Sequence, residues 1–214
     1  MKNEPDTKQK ILTEALKLFA RRGCRAVSVD QIAQAVGVKA PSLYKHYRSK
    51  QSILDAIIAE MDRRDYERAH EYGVPAGTAQ EMPLEYQSAE LQKIAEFSSA
   101  QFAYWTEDEF ASNFRKMLTL EQFASEQMSR LYHQHICTGP LNYVRDLLEG
   151  LNVPNPSEAA VRFFSPMFLL YSVCDGGADI KWAKDTLKKH FNAELLRLSS
   201  EISSQERSTD HELR

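Results

Sequence analysis

Residues 27–50 read VSVDQIAQAVGVKAPSLYKHYRSK, and this stretch decides the fold. Ser28 is placed to cap a short helix whose apolar positions, Val29, Ile32, Ala33 and Val36, fall on one side. Gly37 stops that helix, because glycine reaches positive φ at little cost and lets the chain turn sharply. Pro41 then sits where the first turn of a helix tolerates proline. Val38 and Leu43 anchor this second segment, which leaves Lys39, Ala40, Ser42, Tyr44, Lys45 and His46 outside or at the helix start. Two short helices joined by a glycine turn form a helix-turn-helix. A second helix with this surface fits the major groove of duplex DNA, its N-terminal residues toward base edges.

Charge along the chain points the same way. Residues 1–64 hold 13 Lys and Arg against 7 Asp and Glu, while the other 150 hold 14 against 23, within a net charge of -3. A basic first third on an acidic body is suited to meeting a polyanion.

Outward from residues 27–50 the reading is helical nearly throughout. A first helix, capped by Asp6 or Thr7 and ended by Gly23, carries Ile11, Ala15, Leu18 and Phe19 on one face. Ser49 caps a longer helix bearing Ile53, Leu54, Ile57, Ile58 and Met61. The segment 71–83, EYGVPAGTAQEMP, is the best linker in the chain. Helical patterns follow over 83–105, 110–120 and 125–136, with Thr106 to Glu109 fitting a capping box. Gly139 and Pro140 must break or kink the chain. Further helices are expected over 140–151, 157–174 and 179–202, and a polar, frayed tail over 205–214. No alternating strand pattern and no internal repeat is present.

Other classes find little support. The longest apolar run, around residues 163–174, is interrupted by Ser165 and Pro166 and is shorter than the about 20 residues a membrane span needs. The polar N-terminus lacks a signal-peptide core. Cys24, Cys137 and Cys174 form no disulfide framework, which fits a reducing, cytoplasmic setting. Neither Cys24 nor Cys174 has the context of a reactive thiol. There is no G-x-S-x-G, P-loop or Rossmann glycine triplet, so neither enzyme chemistry nor a cofactor is indicated. Glu107, Asp108 and Glu109 read as a helix start. His133 and Cys137 in HQHIC share a helical face, but no second cluster completes a metal site.

The motifs carry a resemblance. ILTEALKLFARRG followed by VSVDQIAQAVGVKAPSLYKHYRSKQSIL resembles the DNA-binding domain of the TetR/AcrR family of transcriptional regulators. The shared patterns are A-x-x-L-F-x-x-x-G, D-x-I-A-x-x-x-G-V and L-Y-x-H-Y-x-S-K, over roughly the first sixty residues. Two departures are modest: Tyr47 stands where the family usually has Phe, and Ser28 where it usually has Thr.

The resemblance implies an all-α homodimer. An N-terminal three-helix helix-turn-helix domain, residues 1–50, would bind a near-palindromic operator. The helix over about 49–70 would connect it to a larger helical ligand-binding and dimerisation domain, 51–204, with the polar tail at 205–214. Tyr44 and Lys50 match positions that meet phosphates. Lys39, Ala40, Ser42 and Lys45 match positions nearest the bases, Ser28 and His46 complete the DNA-facing set, and Tyr47 matches a position that packs inside.

In the rest of the chain, aromatic and methionine residues concentrate between Phe97 and Tyr132. Phe102, Trp105, Phe114, Met117, Phe123 and Tyr132 are the candidate wall of an effector pocket, against the alternative that such stripes are core. Phe164, Phe168, Tyr171, Leu187, Phe191 and Leu195, on the last two helices, are the candidate dimer interface.

The expected function is therefore a transcriptional regulator, a repressor released from a palindromic operator by a small-molecule ligand. Its partners would be double-stranded DNA, a second copy of the chain and an effector, with no membrane. Two alternatives are a DNA-binding dimer without an effector and a helical enzyme acting on a small apolar substrate.

Overall fold

The computed structural model describes residues 4–71 and 91–212, and within them every regular element is an α-helix. In chain order these are α1 (Glu4–Arg22), α2 (Val29–Val36), α3 (Ala40–Tyr44), α4 (Lys50–Glu71), α5 (Leu91–Glu107), α6 (Glu109–Glu121), α7 (Glu126–Ile136), α8 (Thr138–Gly150), α9 (Pro156–Asp175) and α10 (Ile180–Glu212). The chain forms two compact units: Met1–Glu71 with Asp108–Tyr132, and Tyr72–Glu107 with His133–Arg214.

The first unit is organised around α1, which packs on α2, α4 and α6. Ile11, Ala15, Leu16 and Phe19 are buried along it. Their i, i+4, i+5, i+8 spacing forms a stripe, and Leu12 and Ala20 widen it, so α1 can bury side chains against several neighbours. Leu18, expected on that stripe, is half-buried. The neighbours supply Ile32, Ala33 and Val36 from α2, Ile53, Leu54, Ile57 and Met61 from α4, and Phe110, Phe114, Met117 and Leu118 from α6.

The second unit packs α9 on α8, α10 and α5, and α10 on α5. Phe163 of α9 stacks on Phe191 of α10 with ring centroids 4.5 Å apart, and Phe102 of α5 stacks on Tyr171 of α9 at 5.2 Å. Such offset aromatic pairs add to the gain from buried area. Arg162 ties the same helices together, its Nε donating to Glu194 and its Nη2 to Glu201. Pro166 lies inside α9, where it removes one backbone donor, and Ser165 Oγ bonds back to the Val161 carbonyl at 2.5 Å.

Several local expectations are corrected. α1 begins at Glu4, upstream of Asp6 and Thr7. Thr106 does not cap α6. It lies inside α5, where its Oγ1 donates to the Phe102 carbonyl at 2.7 Å, and Asp108 takes the N-cap, accepting from the Ala111 N–H at 2.8 Å. The break before α8 falls at Cys137, with φ -116° and ψ -93°, and Pro140 sits in the first turn of α8. The last helix runs ten residues past 202, to Glu212, so residues 205–212 are helical. The 71–83 linker and the start of the 83–105 pattern lie outside the described residues, except Glu71.

Candidate nucleic-acid interface

Ser28 begins the site. Its Oγ accepts from the Gln31 N–H at 3.2 Å, and the Gln31 side chain accepts from the Ser28 N–H at 2.9 Å. This reciprocal pair satisfies two otherwise orphaned donors and fixes where α2 starts. Gly37 ends α2 at φ 82°, and its N–H and that of Val38 both reach the Ala33 carbonyl. A side chain at such φ would be strained, so glycine is what allows α3 to leave at a sharp angle.

Lys39 is the extended N-cap of α3, and Pro41 lies in its first turn. Leu43 is fully buried and pins the helix to the first unit's core. Lys39, Tyr44 and Lys45 are exposed, while Ala40, Ser42 and His46 are half-buried. Seven of the eight residues expected to face DNA thus lie together on α3, its flanks and the cap of α2. Tyr47 is half-buried, and burial pushes its hydroxyl above the ordinary tyrosine value, with the Glu60 charge adding to this. Lys8 lies over its ring at 5.9 Å from the centroid.

The eighth residue, Lys50, is differently employed. Its ammonium is turned into the α1–α2 loop, donating to the Cys24 carbonyl at 2.5 Å and the Val27 carbonyl at 2.8 Å. The Arg25 carbonyl lies at 3.5 Å. A cation at a helix N-terminus opposes the helix dipole, and this carbonyl cage offsets the opposition.

Glu121, at the end of α6, holds the same loop from its other side. It is a carboxylate only 8% exposed, and its Oε1 accepts from the Cys24 N–H at 2.7 Å. It also lies 2.7 Å from where a Cβ on Gly23 would stand, and Gly23 has φ 75°. Arg25 adds a bond to the Ala124 carbonyl. Burial pushes the Cys24 thiol up to about 12, and the Glu121 charge adds to the rise. Sequence reasoning missed Glu121. The available signal was a carboxylate on the apolar face that carries Phe114, Met117 and Leu118.

The remaining candidates divide between the units. Phe102 and Trp105 are buried in the second unit. Phe114, Met117 and Tyr132 are buried in the first. Phe123 is 91% exposed, so its ring lines no interior wall. Of the residues expected at a dimer interface, Leu187 and Phe191 are each 1% exposed and Phe164 and Tyr171 are also buried, so a single copy already covers them. Leu195 is half-buried, and Phe168 is exposed. Val161 and Leu169 of α9 and Leu196 of α10 are exposed as well. Cys137 lies one residue past the end of α7, and among the described residues no group of three His, Cys, Asp or Glu could hold a metal ion. No helix among them is long and apolar enough to cross a membrane.

The helix pair and its capped turn define the class: an all-α protein with a helix-turn-helix in its first unit. Comparison with known proteins finds similarity of the same kind. Residues 11–57 match the sequence pattern described as "Bacterial regulatory proteins, tetR family". The HTH-type transcriptional repressor KstR2 of Rhodococcus jostii is 48% identical over 48 residues, 22% of this chain and 24% of that protein. The tetracycline repressor protein class D of Escherichia coli is 30% identical over 69 residues, 32% of this chain and 30% of that protein. The matched segment thus spans less than a third of the length of these relatives. A TetR-like transcriptional regulator from Rhodococcus sp. RHA1 shares the fold, with a TM-score of 0.63 and 18% identity over 92% of this chain and 99% of that one. The likeness to the tetR family of regulatory proteins in sequence is thus carried by residues 11–57, and beyond them the likeness is one of fold.

Proposed function

We propose that this protein is a sequence-specific DNA-binding transcriptional regulator, a repressor released from a palindromic operator by a small-molecule ligand. The observation that carries the reading is α3, anchored by fully buried Leu43 while Lys39, Tyr44 and Lys45 stand exposed behind a rigidly capped turn. In this reading α3 enters the major groove, with Lys39, Ala40, Ser42 and Lys45 nearest the bases. Tyr44 and Ser28 meet phosphates, which supply most of the affinity, and His46 flanks them. The relatives' names as repressors support the sign of regulation.

The protein acts as a homodimer, since a helix-turn-helix normally reads two half-sites about one turn apart. The dimer face is assigned to the apolar groups that α9 and α10 leave exposed: Phe168, from the sequence reading, with Val161, Leu169 and Leu196. The effector is assigned to the second unit, whose apolar interior includes the buried Phe102 and Trp105. It acts by favouring dimers whose recognition helices no longer match the half-site spacing.

Selection of binding sites from a random duplex library tests this, repeated with a cell metabolite extract. Enrichment of an inverted repeat that is lost with extract is the expected result. Enrichment that extract leaves untouched would favour a DNA-binding dimer without an effector. No enrichment in either arm would sink the reading.

A further inference from the structure

Lys50 and Glu121 grip one loop from two sides. The loop runs from Gly23 to Ser28, whose side chain caps α2, so its conformation sets where α2, and behind it α3, begins. Its carbonyls at Cys24 and Val27 point at the Lys50 ammonium, and its Cys24 N–H points at the Glu121 carboxylate. Bonds to charged groups are worth more than bonds between neutral ones, and a buried donor left unpaired carries its full desolvation cost. Either side chain therefore restricts the loop. An ammonium already donating to two carbonyls also has less capacity left for a phosphate oxygen.

We propose that Lys50 and Glu121 are positioning residues for DNA recognition: a two-sided clamp on the α1–α2 loop that holds the recognition helix in its reading pose, with Lys50 acting through the loop rather than through a phosphate. This rests on the DNA-binding reading above and adds to it a role for α6, which lies outside the helix-turn-helix in sequence.

The two roles open to Lys50 differ in salt dependence. A phosphate contact releases counterions, so its loss weakens binding to all duplexes alike and lowers the salt slope by about one unit. A positioning residue leaves the slope and the affinity for random duplex unchanged and weakens only the specific complex.

The test uses the full-length protein, the inverted repeat obtained by selection and a random duplex of equal length, each titrated over a series of salt concentrations. Folded fraction is checked by circular dichroism at the same temperature. Lys50→Ala and Glu121→Ala should each lose on the order of tenfold in operator affinity, the scale of one charge-assisted bond, with random-duplex affinity and slope unchanged. Glu121→Gln, which keeps an acceptor for the Cys24 N–H, should retain most of the affinity. The double alanine variant should lose less than the product of the single losses, because one released loop cannot be released twice.

Lys50→Ala weakening both duplexes alike with a slope lower by about one would overturn the assignment and make Lys50 a phosphate contact. Additive losses, or operator affinity untouched in Glu121→Ala, would overturn the clamp while leaving the DNA-binding reading in place. A wild-type protein that selects no DNA site overturns both. If Glu121→Ala proves unfolded, the Lys50→Ala slope and Glu121→Gln still decide between the two roles.

Discussion

At the scale of single residues, the most informative groups are those whose chemistry the fold suppresses. Cys24 sits in the loop between α1 and α2, where a thiol invites a redox reading, yet burial and the nearby Glu121 carboxylate push its pKa up to about 12. The thiolate is the nucleophile, so at pH 8 almost none of it is present. Treatment of the native protein with iodoacetamide at pH 8 should leave Cys24 unmodified, and should label it only after denaturation. Peptide mass spectrometry reads the difference, and rapid native labelling would contradict the burial described here. Lys50 shows why a role can be hidden from a sequence. Its motif position is plain, but its partners are carbonyls 23 and 26 residues earlier, and nothing in L-Y-x-H-Y-x-S-K states which way the amine turns. Glu121 is hidden further still, 97 residues from the N–H it accepts from.

At the scale of elements, what was legible is what short-range chemistry decides. Ser28, Gly37, Pro41 and Ser49 marked the ends of α2, α3 and the start of α4, because a cap, a left-handed turn residue and a first-turn proline act on their immediate neighbours. Where two residues compete for one task, the sequence is ambiguous. Thr106 and Asp108 are both competent caps, and the structure gives the cap to Asp108 because the Thr106 hydroxyl bonds back into its own helix. Ser28→Ala removes one side of the α2 capping box and should cost about 1 kcal/mol of stability, read as a lower urea midpoint at unchanged slope. A second element-level prediction concerns pH. The Glu60 carboxyl of α4 is held below its ordinary value by Arg63, which donates two bonds at 2.9 Å, and by Arg64. A depressed folded-state pKa contributes stability above the unfolded value of 4.5 and loses it as pH falls through the folded value. The stability difference between wild type and Glu60→Gln should be constant near neutral pH and close below pH 4.5. A difference that persists at acid pH would mean that this ion pairing is not its source.

At the scale of the molecule, the sequence indicated an all-α chain with a DNA-binding front and a larger helical remainder, and the helices are there. Which apolar stripe belongs to the core and which faces outward was not legible, since both have helical spacing. Phe191 is used internally, stacked on Phe163, whereas Leu196, five residues on, is 76% exposed. The proposed dimer face therefore makes a differential prediction. Phe168→Glu with Leu196→Glu should yield a folded monomer by sedimentation and abolish cooperative binding to an inverted repeat. Phe191→Ala, by contrast, should cost about 3–5 kcal/mol of stability through the cavity it leaves. A double glutamate variant that stays dimeric would place the interface elsewhere.

The first unit is also discontinuous along the chain, since it takes in Asp108–Tyr132 as well as the N-terminal helices. During synthesis the helix-turn-helix leaves the ribosome well before α6, yet the α1–α2 loop lacks its Glu121 partner until 97 more residues have been added. At about 5–20 residues per second, that interval is roughly 5–20 s. For most of that time, from the completion of α3 at Tyr44 onward, the nascent chain carries a helix-turn-helix whose α1 has no α6 to pack against. If the proposed clamp holds, the gene's reading order makes recognition of DNA a late event in the life of each chain.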